Sequence, residues 1–198
     1  MKNIIAILLL SIILSCNAQN TTYKPKAIEM NNKAVNMVSK SFGDVDQIKK
    51  ALVILDSAIN LDTTYDFAYQ NKANYLCKLK EYDSAIKTLD KVILLHKNTE
   101  VVLSLQGFML EKIGKEKDAL AKYQAAFTEY EQLIKEFPNK VEYQVNQAFL
   151  LEFLINKEAT QKRFAEILKK YPDDKNVNSI ISFLNTIDKN HYIDSICQ

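Results

Sequence analysis

Glycine and proline are scarce, with three of each in 198 residues, and tryptophan is absent. Sheet-rich folds need turn residues every few positions, so an all-β architecture is all but excluded. The three glycines, Gly43, Gly107 and Gly114, also cannot supply a G-x-G-x-x-G or Walker-type phosphate loop. Histidine is as rare, present only as His96 and His191. No H-E-x-x-H and no Ser-His-Asp or Cys-His pairing is suggested, so no catalytic residue is expected. Carboxylates are scattered, and Asp44-Val45-Asp46 and Asp173-Asp174 read as helix boundaries, where Asp is a favoured cap, rather than as metal ligands. No metal and no cofactor is expected. Charge of one sign is missing too: 26 Lys+Arg face 24 Asp+Glu, a formal +2. That argues against a nucleic-acid binder held by phosphate neutralisation. What is there is 47% hydrophobic and 25% charged residues, a balance that excludes a disordered chain. The length suits one domain with a full core, and two small domains are a stretch.

The N-terminus has a short positive start, Met1-Lys2-Asn3, followed by an apolar run over residues 4–14. That run is too short for a transmembrane helix, which needs ~20 residues, and has the length of a signal-peptide core. It ends in Ile13-Leu14-Ser15-Cys16, which resembles the bacterial lipoprotein lipobox. The resemblance implies a signal peptide over residues 1–15, cleavage before Cys16, diacylglycerol on its sulfur and usually a further acyl chain, palmitate-like, on the new amine. Each buried methylene is worth ~0.8 kcal/mol, so several chains make a lasting anchor. An ordinary secretory signal cut after Ala18 is the alternative. Asn17 stands where an Asp would favour the inner membrane in the enterobacterial pattern, so the expected address is the outer membrane, facing the periplasm. Residues 16–26 are polar, contain Pro25, and read as a lipidated, flexible tether.

The rest of the chain repeats. Ala51, Ala85 and Ala119 are each 34 residues apart, as are Leu55, Leu89 and Tyr123, and Ala58, Val92 and Ala126. Steps of four and then three between these columns place them on one helical face. A second column of small residues, Ala34, Ala73, Gly107 and Ala148, lies upstream, often with a bulky residue four positions before it (Met30, Tyr69, Leu103). The pattern resembles the tetratricopeptide repeat, a 34-residue pair of antiparallel helices, best in Lys80-Glu81-Tyr82-Asp83-Ser84-Ala85-Ile86. It departs from that family in lacking Trp, in Thr63 and Lys97 at closing-proline positions, and in Val92, Ile167 and Thr160 where smaller residues are usual. The resemblance implies an all-α solenoid in a right-handed superhelix, with four repeats over residues 27–174 (27–61, 66–99, 100–138, 141–174). At least about three are needed, because one helix pair cannot bury its own apolar face. Residues 175–188 carry Val177, Ile180, Ile181, Leu184 and Ile187 at helical spacing and suit a capping helix, while 189–198 form a tail without a place.

The first helices of such repeats line a concave face. Carried onto this chain, its groove positions include Asn32, Phe67, Gln70, Asn71, Asn74, Leu105, Phe108, Asn146 and Phe149. Amides donate to and accept from a peptide backbone, and aromatics anchor with little rotamer loss. A protein or peptide is therefore the expected partner, with the membrane engaged through the lipid on Cys16, no nucleic acid and no small-molecule substrate. One subfamily clamps a C-terminal carboxylate with Lys or Arg in its third repeat; Val101 and Leu105 stand there, so carboxylate capture is not expected. The expected role is a non-enzymatic adaptor or scaffold in the bacterial cell envelope. The alternative is a structural accessory of an outer-membrane protein assembly complex, although such lipoproteins often carry five repeats. Cys77 and Cys197 are left once Cys16 is lipidated; nothing in the sequence fixes their separation, and two free thiols are expected. The tail, with Tyr192, Ile193 and Ile196, is apolar enough to fold back, either inhibiting the molecule or simply capping it.

Overall fold

The computed structural model describes residues 23–96 and 98–196; the expected signal peptide, the lipid attachment point Cys16, residues 17–22 and Cys197 lie outside them. The described residues are all-α, with ten helices and no strand. In chain order these are α1 (Pro25–Lys40), α2 (Val45–Leu61), α3 (Asp66–Lys78), α4 (Tyr82–Leu94), α5 (Thr99–Lys112), α6 (Glu116–Glu136), α7 (Val141–Leu154), α8 (Lys157–Lys170), α9 (Lys175–Thr186) and α10 (Lys189–Ile196). Helices α1 and α2, α3 and α4, α5 and α6, and α7 and α8 pack as hairpins.

The turns explain the 34-residue period. Lys80 and Gly114, 34 apart, both adopt positive φ, at 63° and 75°. Each follows a first helix, and the next residue closes back on it: Glu81 N donates to Leu76 O and Lys115 N to Leu110 O, both at 2.9 Å. This is the left-handed cap that turns a helix sharply and satisfies its last carbonyls. Side-chain caps start other helices: Asp44 accepts from Gln47 N, Asn156 from Ala159 N, and Asp174 from Asn176 N and Val177 N.

Inside each hairpin the repeated columns become the core. Ala34, Ala73 and Ala148 on first helices are at most 1% exposed, and so are Leu55, Leu89, Tyr123 and Phe164 on second helices. At the third hairpin the small residue faces a large one directly, Gly107 against the Tyr123 ring, which lets the helices approach closely. At the fourth hairpin the small-residue column holds Thr160, 2% exposed, whose hydroxyl meets no hydrogen-bond partner among the described residues. A buried, unsatisfied hydroxyl costs ~1–3 kcal/mol. Thr160→Val, which keeps the shape and deletes that group, is expected to raise stability by ~1 kcal/mol in urea titration.

Where length suggests one domain with a full core, the packing is instead gathered locally. The described residues divide into two compact units, with the boundary in the chain between Asn98 and Thr99. Stacked hairpins contact only their neighbours, so cohesion is local rather than global. In the first unit, residues 23–98, the core is built from Ala27, Ala34, Val38, Ile48, Ala51, Leu55, Ala58, Tyr65, Ala68 and Tyr75. The second, residues 99–196, holds α5 to α10. Its α5 and α7 are buried almost all round: Val101, Val102, Leu103, Phe108, Met109 and Leu110 on one, and Val145, Ala148, Phe149, Leu150 and Phe153 on the other. A helix without a polar face must be covered on more than one side. Second helices cover one side, while α9 packs on α7 and α10 on α5.

Candidate protein-binding groove

Four of the expected groove residues converge in the second unit. Leu105, Phe108, Asn146 and Phe149 all line one cavity of about 40 Å³, together with Val101, Tyr130, Ile180, Leu184 and Tyr192. That space admits ordered water but no peptide. The reason is the tail. Residues 189–196, left without a place by sequence, form α10, and Tyr192 inserts between the aromatic side chains of α5 and α7. Its ring lies 5.1 Å from Phe108 and 4.7 Å from Phe149, both edge-on, and 6.1 Å from Phe153. Phe108 and Phe149 are therefore buried, at 3% and 7% exposure, rather than open to a partner. Burial pushes the Tyr192 phenol well above its ordinary range. Asn146 is engaged as well, through a hydrogen bond with the Tyr130 hydroxyl.

Charge fixes both ends of this contact. Lys189 Nζ lies 2.5 Å from Glu111 Oε1 and sits over the Phe153 ring at 5.5 Å. Asp194 pairs with Lys112 on the next turn of α10. Glu111 is aimed from behind, because Tyr123 donates its hydroxyl to Glu111 Oε2 at 2.8 Å. Tyr123 in turn packs 5.4 Å from Phe108 and 5.0 Å from Phe153. Where the chain enters α10, Lys157 Nζ donates to Ile187 O at 3.2 Å and His191 N donates to Asp188 Oδ1 at 2.9 Å.

The first unit places the remaining residues. Asn71 donates to Asn31 Oδ1 at 2.8 Å, and Gln70 donates to Asp66 Oδ2 at 3.1 Å. These amides are thus partly spent on their own chain rather than displayed for a peptide backbone. Phe67 meets Tyr23 edge-on at 6.3 Å and Tyr65 at 6.0 Å. Tyr23 also donates to Asp66, and Lys24 N donates to Asp62 Oδ2 at 2.8 Å. Residues 23–26, expected in the tether, therefore belong to the fold, with Pro25 opening α1. Those backbone and Thr64 hydrogen bonds hold the Asp62 carboxyl below the usual carboxylate range. Asn74 is half-buried, and Asn32 is exposed on the open face of α1, beside Glu29, Asn36 and Lys40.

Cys77 corrects one expectation. It is disulfide-bonded, not a free thiol, and its partner lies outside the described residues. Chain separation carries no distance, so sequence alone could not pair it. The sequence carries the signal for this cover in two places: α5 and α7 are too apolar to leave one face in water, and the tail with Tyr192 and Ile193 is apolar enough to fold back, although the rings it meets cannot be read from it. Among the described residues, no group of three or more His, Cys, Asp or Glu gathers to hold a metal ion. No described helix is long and apolar enough to cross a membrane.

No family model matches the chain, and no curated protein matches it. Among solved structures it is similar to YrrB, described as a TPR protein with an unusual peptide-binding site. The two are 20% identical over 85% of this chain and 82% of that one, with a TM-score of 0.47.

Proposed function

We propose that this chain is a lipid-anchored, non-enzymatic adaptor that holds a protein or peptide segment at a bacterial membrane. The observation that carries the binding role is the channel between α5 and α7, which takes a short helix by one aromatic anchor and two flanking ion pairs. Apolar walls with a few convergent polar groups are the general form of a recognition site. The anchor rests on Leu14-Ser15-Cys16 following an apolar run. Confining adaptor and partner to one surface raises their effective concentration, so modest affinity suffices.

Cysteine chemistry tests the anchor. Only Cys16 and Cys197 are available to pair with Cys77. A thioether to diacylglycerol removes the Cys16 sulfur from disulfide chemistry, which leaves Cys197. Peptide mapping of unreduced, membrane-extracted protein is therefore expected to yield a Cys77–Cys197 crosslinked peptide and a lipid-bearing peptide beginning at Cys16. Metabolic labelling with an alkyne fatty acid is expected to mark the wild type and to vanish in Cys16→Ser, with the protein moving to the soluble fraction. A Cys16–Cys77 crosslink would overturn lipidation.

A further inference from the structure

We propose that α10 is a displaceable, built-in ligand of the α5–α7 groove, and that the partner segment is a short helix with the same three features. These are a cation, an aromatic anchor three residues later, and a carboxylate two residues after that. This inference rests on the adaptor reading above and specifies what the adaptor recognises. In α10 the features are Lys189, Tyr192 and Asp194, which meet Glu111, the Phe108–Phe149–Phe153 aromatics, and Lys112.

Several observations separate a ligand from an ordinary piece of core. Helix α10 has eight residues, whereas isolated helices shorter than ~12–15 residues are marginal in water; it exists as a helix because the groove holds it. The chain joins it through the short link after α9, anchored by Lys157 on Ile187 O, and runs on to Cys197, whose expected bond to Cys77 ties the far end. The binding tests are therefore run on reduced and on oxidised protein, and the tail is expected to leave the groove only when that bond is reduced. His191 is exposed, and Asp194, also exposed, is held only by its rim ion pair with Lys112. The contact buries two apolar side chains of α10, Tyr192 and Ile193, with ion pairs at the rim, the arrangement found in interfaces. Glu111 is held by the Tyr123 hydroxyl at 2.8 Å, a contact that does not involve α10. The cavity of about 40 Å³ that remains beside Tyr192 shows that α10 does not fill the groove completely. A partner with a larger or better-shaped aromatic gains contacts that the tail does not make.

Tethering gives α10 a local concentration in the millimolar range. A free peptide of the same sequence must lose to it, and a partner helix must either bind more tightly or wait for the tail to open. The test uses the mature full chain and a fluorescein-labelled peptide of residues 187–196 (Ile-Asp-Lys-Asn-His-Tyr-Ile-Asp-Ser-Ile), read by fluorescence polarisation. Wild type is expected to bind it at least tenfold more weakly than Tyr192→Ser, whose own tail has lost its anchor. The same peptide carrying Tyr192→Ser is expected not to bind. Adding Lys112→Glu to the Tyr192→Ser chain is expected to weaken binding, and a peptide with Asp194→Lys to restore it, which a merely sticky surface would not do.

A Tyr192→Ser chain that keeps its helical circular dichroism and binds no peptide would overturn the proposal. If Tyr192→Ser does not fold, hydrogen exchange on reduced wild type decides. Amides of α10 are expected to exchange through an opening that leaves α5 and α7 protected; equal protection in all three would make α10 fixed core and end the idea. The two readings fail separately: peptide binding in trans without any captured envelope protein leaves the displaceable tail standing and removes the adaptor.

Discussion

Replacing Gly107 by alanine is expected to destabilise the 99–196 unit by about 2 kcal/mol and to lower its Tm by roughly 10 °C. The direction is unusual, since glycine to alanine inside a helix normally stabilises by ~1 kcal/mol. Here a Cβ on Gly107 would lie 2.3 Å from Tyr123 Cε1 and 2.5 Å from Cδ1. Carbon atoms prefer ~3.5–4.0 Å, so the ring must shift by more than 1 Å. It has nowhere to go, because Tyr123 is 1% exposed and packed between Phe108 and Phe153. The repeat explains the pair. Ala73 and Leu89 hold the matching positions one repeat earlier, and Ala148 and Phe164 one hairpin later; only at the third level does tyrosine face glycine. Gly107→Ala/Tyr123→Leu rebuilds the Ala73–Leu89 pairing. Tyr123→Leu alone leaves a void and removes a hydrogen bond to Glu111. The double variant is therefore expected to cost less than the two single variants summed, by at least about 1 kcal/mol. Urea denaturation of the four proteins measures that coupling. Strict additivity would mean that Gly107 is present for some reason other than the Tyr123 ring.

That pair also marks what the sequence makes legible. Columns spaced by 34 residues expose the hairpins because small and large core residues recur level by level and leave a periodic trace. The turns share the trace, since Lys80 and Gly114 occupy one position of the period. The tail has no such trace. Lys189, Tyr192 and Asp194 find Glu111, Phe108 and Lys112 from some eighty residues away, and nothing periodic connects them. Leu105, Phe108, Asn146 and Phe149 line one cavity, and the tail's apolar character is visible in the sequence, but not the rings that it meets. For Asn31 and Asn71 the repeat position was visible while their mutual hydrogen bond was not. A register gives the face on which a side chain lies, not the partner that it meets.

Introducing charge beneath α10 is expected to unfold the 99–196 unit rather than merely close a site. Phe108→Glu/Phe149→Glu removes two rings that are 3% and 7% exposed. Loss of each buried aromatic costs ~3–5 kcal/mol, and placing a carboxylate there adds its desolvation. A domain holds only ~5–15 kcal/mol in total, so the double variant exceeds what one unit can lose. Its circular dichroism is expected to show reduced helix, and its thermal transition to be absent for that unit; a native melt would mean that these rings are less buried than described. Loss of a captured partner in that variant would therefore say nothing about recognition. Lys112→Glu/Asp194→Lys separates the two effects. Both side chains are at the rim, 31% and 58% exposed, where an ion pair is worth ~0–1 kcal/mol, and the swap preserves attraction between α10 and its groove. Tail closure and stability are expected to stay within ~0.5 kcal/mol of wild type. A partner that offers its carboxylate to Lys112 now meets a like charge. Crosslinking in cells with affinity capture is expected to recover it at least several-fold less from the swapped chain. Equal recovery would place the partner on another face of the molecule, while leaving the self-docked helix intact.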